Sequence, residues 1–170
     1  MTKIRHRTRH ASQLCSAVLT ITLGIPLVWV VLSGSVQAQV HDCGAWNTEA
    51  FFEGATAEDV QRCLASGVNI EARDEFGFTP LASAVWADNV KAMKELIDAD
   101  ARLDVRGSGG GTPLHIAAAR ASAEAVILLL DAGADASVRA EGSGATPFDL
   151  AGANDKLEGT KAYVRLRDGQ

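Results

Sequence analysis

Aromatic side chains are scarce in this 170-residue chain, with one Tyr, three Trp and five Phe, so each ring present carries information. Chemically versatile residues are scarcer still. Beyond residue 38 only His41, His115, Cys43 and Cys63 remain of their types. Two cysteines without a neighbouring histidine pair are too few for a zinc centre. No nucleophile elbow or metal-ligand spacing accompanies them, which leaves no constellation of acid, base and nucleophile and argues against an enzyme. No cofactor is expected either. After residue 38 there is no long apolar run, so no membrane segment is expected in that part of the chain.

Acidic residues are absent from residues 1–38, which instead carry Lys3, Arg5, Arg7 and Arg9. An apolar run over 14–32 follows, and then small residues with Val36 and Ala38 at the −3 and −1 positions of a cleavage site. That order is the layout of a secretory signal peptide. Thr20, Thr22, Gly24 and Pro26 dilute the run and favour removal after Ala38 over its retention as a membrane anchor, and no Arg-Arg pair suggests twin-arginine export. The expected destination is the periplasm or the exterior of a bacterial cell; an inner-membrane anchored form, retaining 14–32, is the alternative. All 21 acidic residues fall in 39–170 against 12 basic ones, a balance of about −9. A surface this acidic repels phosphate backbones and anionic lipids, so neither nucleic acid nor, once the signal is removed, a membrane is an expected partner.

In an oxidising compartment an even pair of cysteines in a small domain forms a disulfide, here Cys43 with Cys63. The competing role for Cys63 is a buried thiol, because Val60, Cys63 and Leu64 share one helical face.

What the chain does have is periodicity. Thr79-Pro80-Leu81-Ala82, Thr112-Pro113-Leu114-His115 and Thr146-Pro147-Phe148-Asp149 recur at steps of 33 and 34 residues. Gly67-Val68-Asn69, Asp100-Ala101-Arg102 and Gly133-Ala134-Asp135 keep the same phase. Two landmarks in one register mean stacked supersecondary units. In the clearest copy, 112–138, Thr112 and Pro113 start a short helix, Ser122 starts a second, and Gly133 ends it. Neither helix is long enough to hold alone, so each buries its stripe on the next unit.

Thr112-Pro113-Leu114-His115-Ile116-Ala117 and the Leu128-Leu129-Leu130 to Gly133-Ala134-Asp135 ending resemble the signature of ankyrin repeats. The resemblance covers about 46–167. It implies an all-α solenoid of about four helix-turn-helix units with hairpin-like connectors, at 46–78, 79–111, 112–145 and 146–167. The outer two act as caps, a lead segment 39–45 precedes them and a tail 168–170 follows. The second helix of the last unit is expected over 155–167. The 79–104 copy departs from the pattern, with Ala82 for His and Asp100 for Gly. The Cys43-Gly44-Ala45-Trp46-Asn47-Thr48 start and the Gly159–Tyr163 end also resemble small exported bacterial ankyrin proteins, which supports the Cys43–Cys63 pairing. In the family's T-P-L-H slot, His115 is implied to make a structural hydrogen bond.

The resemblance further implies a monomeric, non-enzymatic module that binds another protein through hairpin tips and a concave helical face. Phe76 and Phe78 flank Gly77 at a hairpin tip, and Trp86 ends a first helix facing that groove. Rings on a rigid scaffold anchor binding surfaces; the alternative is that Phe78 and Trp86 pack on neighbouring fingers. Arg73, Arg106 and Arg139 recur at 33-residue steps as a basic ladder, either offered to a partner or paired with Asp74, Asp104 and Glu141. Arg120 joins the candidate binding residues. Gly107-Ser108-Gly109-Gly110-Gly111 lacks the lysine of a phosphate-binding loop and reads as a connector turn. Two other functions stay open: a membrane-tethered accessory factor, and an inhibitor or immunity-type protein acting through its acidic surface.

Overall fold

The computed structural model describes residues 42–169. The leader of 1–38 and positions 39–41 lie outside the described residues. A 3-10 turn at Cys43–Ala45 leads into eight helices: α1 Glu49–Gly54, α2 Ala57–Ala65, α3 Pro80–Trp86, α4 Val90–Asp98, α5 Pro113–Arg120, α6 Ala123–Asp131, α7 Pro147–Ala151 and α8 Lys161–Asp168. No strand occurs among the described residues.

Local chemistry sets where each helix starts. Thr48, Thr56, Thr79, Thr146 and Thr160 are extended residues whose hydroxyls accept the N–H three positions on, which satisfies one orphan donor of the first turn. The Asn89 amide oxygen and the Ser122 hydroxyl cap α4 and α6 by accepting the N–H groups of Ala92 and Ala125. At Thr56 and Thr146 the carboxylates of Asp59 and Asp149 reach back to the threonine N–H and close a reciprocal capping box. The accepted N–H of Thr56 leads the causes that lower the Asp59 carboxyl to about 2. Pro80, Pro113 and Pro147 occupy first helical positions, where a missing N–H costs nothing.

Helix ends are set by a recurring left-handed residue. Gly67, Asp100 and Gly133 take φ of 84°, 63° and 96°, so the in-phase landmark marks one conformation three times.

The helices assort into two layers. First helices α1, α3, α5 and α7 contact one another in sequence, as do second helices α2, α4, α6 and α8. The core runs continuously between the layers, with Phe52, Leu81, Met93, Leu96, Leu114, Leu129, Leu157 and Leu166 fully buried. Each such side chain removed from water contributes about 1.5–3 kcal/mol. Small residues let first helices approach: Ala84, Ala117 and Ala118 have no exposed surface.

Polar ties repeat alongside the apolar ones. Asn89 donates from Nδ2 to the carbonyls of Phe52 and Ala55 in the preceding unit, both at 2.8 Å. Asn154 makes the same reach to Ala118 and Ala121, at 3.1 and 3.0 Å. At the intervening junction the Ser122 N–H donates to Asp88 Oδ1 at 2.9 Å.

The last unit departs from expectation. α8 begins at Lys161, not at 155, because Gly159 has φ of 72° and Thr160 caps the helix. Leu157 is nonetheless fully buried, carried by a turn in place of a helix. At the other end Cys43 and Cys63 are bridged, with Cα atoms 5.5 Å apart, and Cys63 has no exposed surface. Trp46 packs against Phe51 and Phe52 there, and its indole N–H donates to Asn69 O at 3.1 Å. Among the described residues no helix is long and apolar enough to cross a membrane.

Candidate functional site

The connectors 73–78, 106–111 and 139–145 are tight turns closed by backbone bonds, Asp74 N–H to Phe78 O at 3.0 Å, Gly107 N–H to Gly111 O at 3.1 Å and Ala140 N–H to Ala145 O at 2.8 Å. Asp74 shapes the first of them, its Oδ1 accepting the N–H groups of Phe76 and Phe78. This fixes Phe76 at the tip, where it is 56% exposed, the most exposed large apolar side chain described.

Between this tip, α3 and the start of α1 lies a groove of about 360 Å³. Phe76, Phe78 and Trp86 form its apolar lining, Glu49, Asp74 and Glu75 its acidic rim, and Thr48 and Ser83 complete it. Phe78 and Trp86 are half-buried, with ring centroids 6.0 Å apart. They also bound a second, smaller hollow of about 210 Å³ that extends to Ile116, Arg120 and Leu150. The Arg120 guanidinium carbon sits 3.6 Å from the centre of a Trp86 ring, a cation–π contact. Phe78 meets the neighbouring connector as well: a Cβ added at Gly107 would come within 2.4 Å of its ring. The packing expected of these rings is present, since Phe78 and Trp86 pack on adjoining units, and both also line the groove.

His115 is 2% exposed. Its Nδ1 accepts the Thr112 N–H at 3.1 Å, which leaves the proton on Nε2, donated to Ala145 O at 3.1 Å. Burial is the largest influence and pushes its pKa below the ordinary 6.5. Nδ1 thus closes the start of its own helix, and Nε2 ties that helix to the connector 139–145. Among the described residues no group of three or more His, Cys, Asp or Glu is arranged to hold a metal ion.

A family model described as ankyrin repeats, in three copies, matches residues 48–160. The chain belongs to the ankyrin-repeat family. No curated protein matches it beyond that. Ankyrin repeats are generally protein–protein interaction modules and are typically non-enzymatic.

The arginine ladder of these ankyrin repeats is wired mainly to backbone carbonyls. Arg73 Nη1 donates to Gly77 O at 3.2 Å in its own connector and to Arg106 O at 3.0 Å in the next. Arg106 repeats this with Gly110 O at 2.6 Å and Arg139 O at 2.9 Å, and Arg139 closes on Gly144 O at 2.9 Å. Carbonyls, not the carboxylates of Asp74 or Asp104, take these guanidinium protons. Asp104 pairs with Arg102 instead, and only the Arg106–Glu141 contact, at 3.6 Å, matches the expected charge pairing. Backbone bonds run beside the ladder, from Ser108 N–H to Phe76 O and from Glu141 N–H to Gly110 O.

The glycine-rich connector has a stricter job than permitting a turn. Gly110 has φ of 72°, and a Cβ there would lie 2.5 Å from that of Glu141. Sequence reasoning missed Glu49 as a groove residue. Its place in the first turn of a degenerate unit gave no signal, because only the stacking of α1 on α3 brings it to the rim.

Proposed function

We propose that this ankyrin-repeat chain is an exported, non-enzymatic module that binds a partner protein through its connector tips and the face its first helices share with them. The single observation behind the assignment is the exposed Phe76 standing over a groove lined by Phe78 and Trp86. A large apolar ring held out by two bonds to Asp74 is costly in water and useful only when covered. Phe76, Phe78 and Trp86 are the anchors in this reading. Arg73, Arg106, Arg120 and Arg139 hold the surface in shape and offer what remains of their charge to the partner's rim.

Export is supported by the basic, apolar and small-residue order of 1–38, and the Cys43–Cys63 bridge suits an oxidising compartment. N-terminal sequencing of protein from cells separates the secreted form, beginning at Gln39, from an anchored one that keeps 14–32.

Phe76→Ala tests the binding surface, because Phe76 has little packing to lose. The variant is expected to capture at least tenfold less partner from the cell envelope with an unfolding midpoint within a degree or two of wild type, about the scatter of neutral surface changes. Equal capture by the two proteins would remove the groove from the binding surface. Trp86→Ala is the weaker probe, since it also releases Arg120 and Phe78.

A further inference from the structure

The groove beneath Phe76 combines two chemistries rarely brought together by chance in so ring-poor a chain. Three of its nine aromatic residues face three carboxylates across about 360 Å³. Of those carboxylates, Asp74 is committed to the backbone of its own connector. Glu49 and Glu75 are exposed, and among the described residues neither joins an ion pair. No cation lines the groove.

An aromatic face attracts a cation through its quadrupole, and carboxylates at the rim supply the opposite charge and hydrogen-bond acceptors. Trp86 already holds one guanidinium, that of Arg120, which lies outside this groove. The volume is near the lower limit of ligand sites, roughly 300–1,000 Å³, and so fits one long side chain with its flanking residues better than a cofactor. A purely apolar guest would strip water from Glu49 and Glu75 without replacing it. A phosphate or carboxylate guest would be repelled.

We propose that this groove seats an arginine or lysine side chain of a basic segment in the partner protein, the aliphatic stem against Phe76 and Phe78 and the charged head between Trp86 and the two glutamates. The net charge of about −9 on 39–170 would steer such a segment toward the protein. This inference rests on the groove being a protein-binding surface, and the test keeps the two ideas apart.

The probe is an end-blocked pentapeptide with one arginine between two leucines, compared with its lysine and glutamine counterparts. Binding to the full chain is followed by the NMR shifts of the Trp86 indole and the Phe76 ring. The arginine and lysine peptides are expected to bind about tenfold more tightly than the glutamine peptide. In the Glu49→Gln, Glu75→Gln double variant that preference should fall below about twofold, whereas Phe76→Ala should weaken all three peptides alike. Unfolding midpoints of both variants serve as controls. Equal binding of all three peptides, still sensitive to Phe76→Ala, overturns the cation seat and leaves the binding surface standing. A charge preference that survives the double variant overturns it too, as does the absence of saturable binding by the arginine peptide.

Discussion

At the scale of single residues, His115 and Asp100 show opposite relations between sequence and conformation. His115 fits its site only when neutral, because Nδ1 must accept and Nε2 must donate. Its folded pKa lies below the unfolded value near 6.5, so below that pH the unfolded chain binds more protons and stability falls with falling pH. The His115 contribution is complete above about 6.5 and is lost as pH drops through the folded value. Asp59 acts in a separate window, its contribution intact above about 4 and lost as pH falls toward 2. Urea unfolding between pH 7.5 and 5.5 should therefore show wild type losing stability while His115→Gln, weaker throughout by about 1–3 kcal/mol, changes less over the same interval. A parallel pH response of the two proteins would mean that His115 does not titrate in this range. Asp100 instead sits in a conformation that suits it poorly, φ of 63° where its in-phase counterparts are Gly67 and Gly133. Asp100→Gly is expected to stabilise by about 0.5–1 kcal/mol, measured as a rise in the unfolding midpoint. A loss would show that the Asp100 side chain makes a favourable interaction of its own.

At the scale of elements, what was legible in the sequence was whatever is encoded locally. Thr-Pro starts, left-handed helix ends and the apolar stripe of Leu128 to Leu130 follow from neighbours within a few positions, and α3 to α6 fall where those signals put them. The misplacement of α8 has a local reason too, since Gly159 in a left-handed turn breaks the expected 155–167 helix while Leu157 keeps its core position. What escaped notice were bonds spanning a full repeat. The reach of Asn154 to Ala118 and Ala121, the Arg73-to-Arg106 step and the arrival of Glu49 at the groove all join residues about 26 to 36 positions apart. No local pattern distinguishes a bonding Asn from one that merely fills a turn. The bridge between Cys43 and Cys63 is a second element-scale matter, because it ties the first 3-10 turn to α2 across 20 residues. In the chain-entropy picture a loop of this length contributes roughly 3 kcal/mol. The Cys43→Ser variant should lose that much in denaturant unfolding and should also match wild type measured with a reductant. Identical stability of oxidised wild type and variant would show that the bridge does not form in the protein as isolated.

At the scale of the whole molecule, the described part of the chain is held by junctions between neighbours, each built from the same components. Buried leucine and alanine side chains join the helical layers, Asn89, Ser122 and Asn154 tie unit to unit, and the arginine carbonyl bonds link the first three connectors. Such an array behaves as a row of units with nearest-neighbour coupling, so damage should propagate only by loss of adjacent junctions. Removing residues 146–170 deletes α7 and α8 and uncovers the surfaces of α5 and α6 that they bury. It also takes away Asn154, whose amide donates to the carbonyls of Ala118 and Ala121, while α1 to α4 keep the helices they pack against. Hydrogen exchange on the shortened chain should accordingly show protection lost across 112–131 by an order of magnitude or more and largely kept in α3 and α4. The Phe76 groove lies wholly within the retained units, so the arginine pentapeptide should still bind it. If protection instead falls evenly from α1 to α6, the coupling is global, and the repeats must be treated as one cooperative core whose binding face cannot be separated from its last unit.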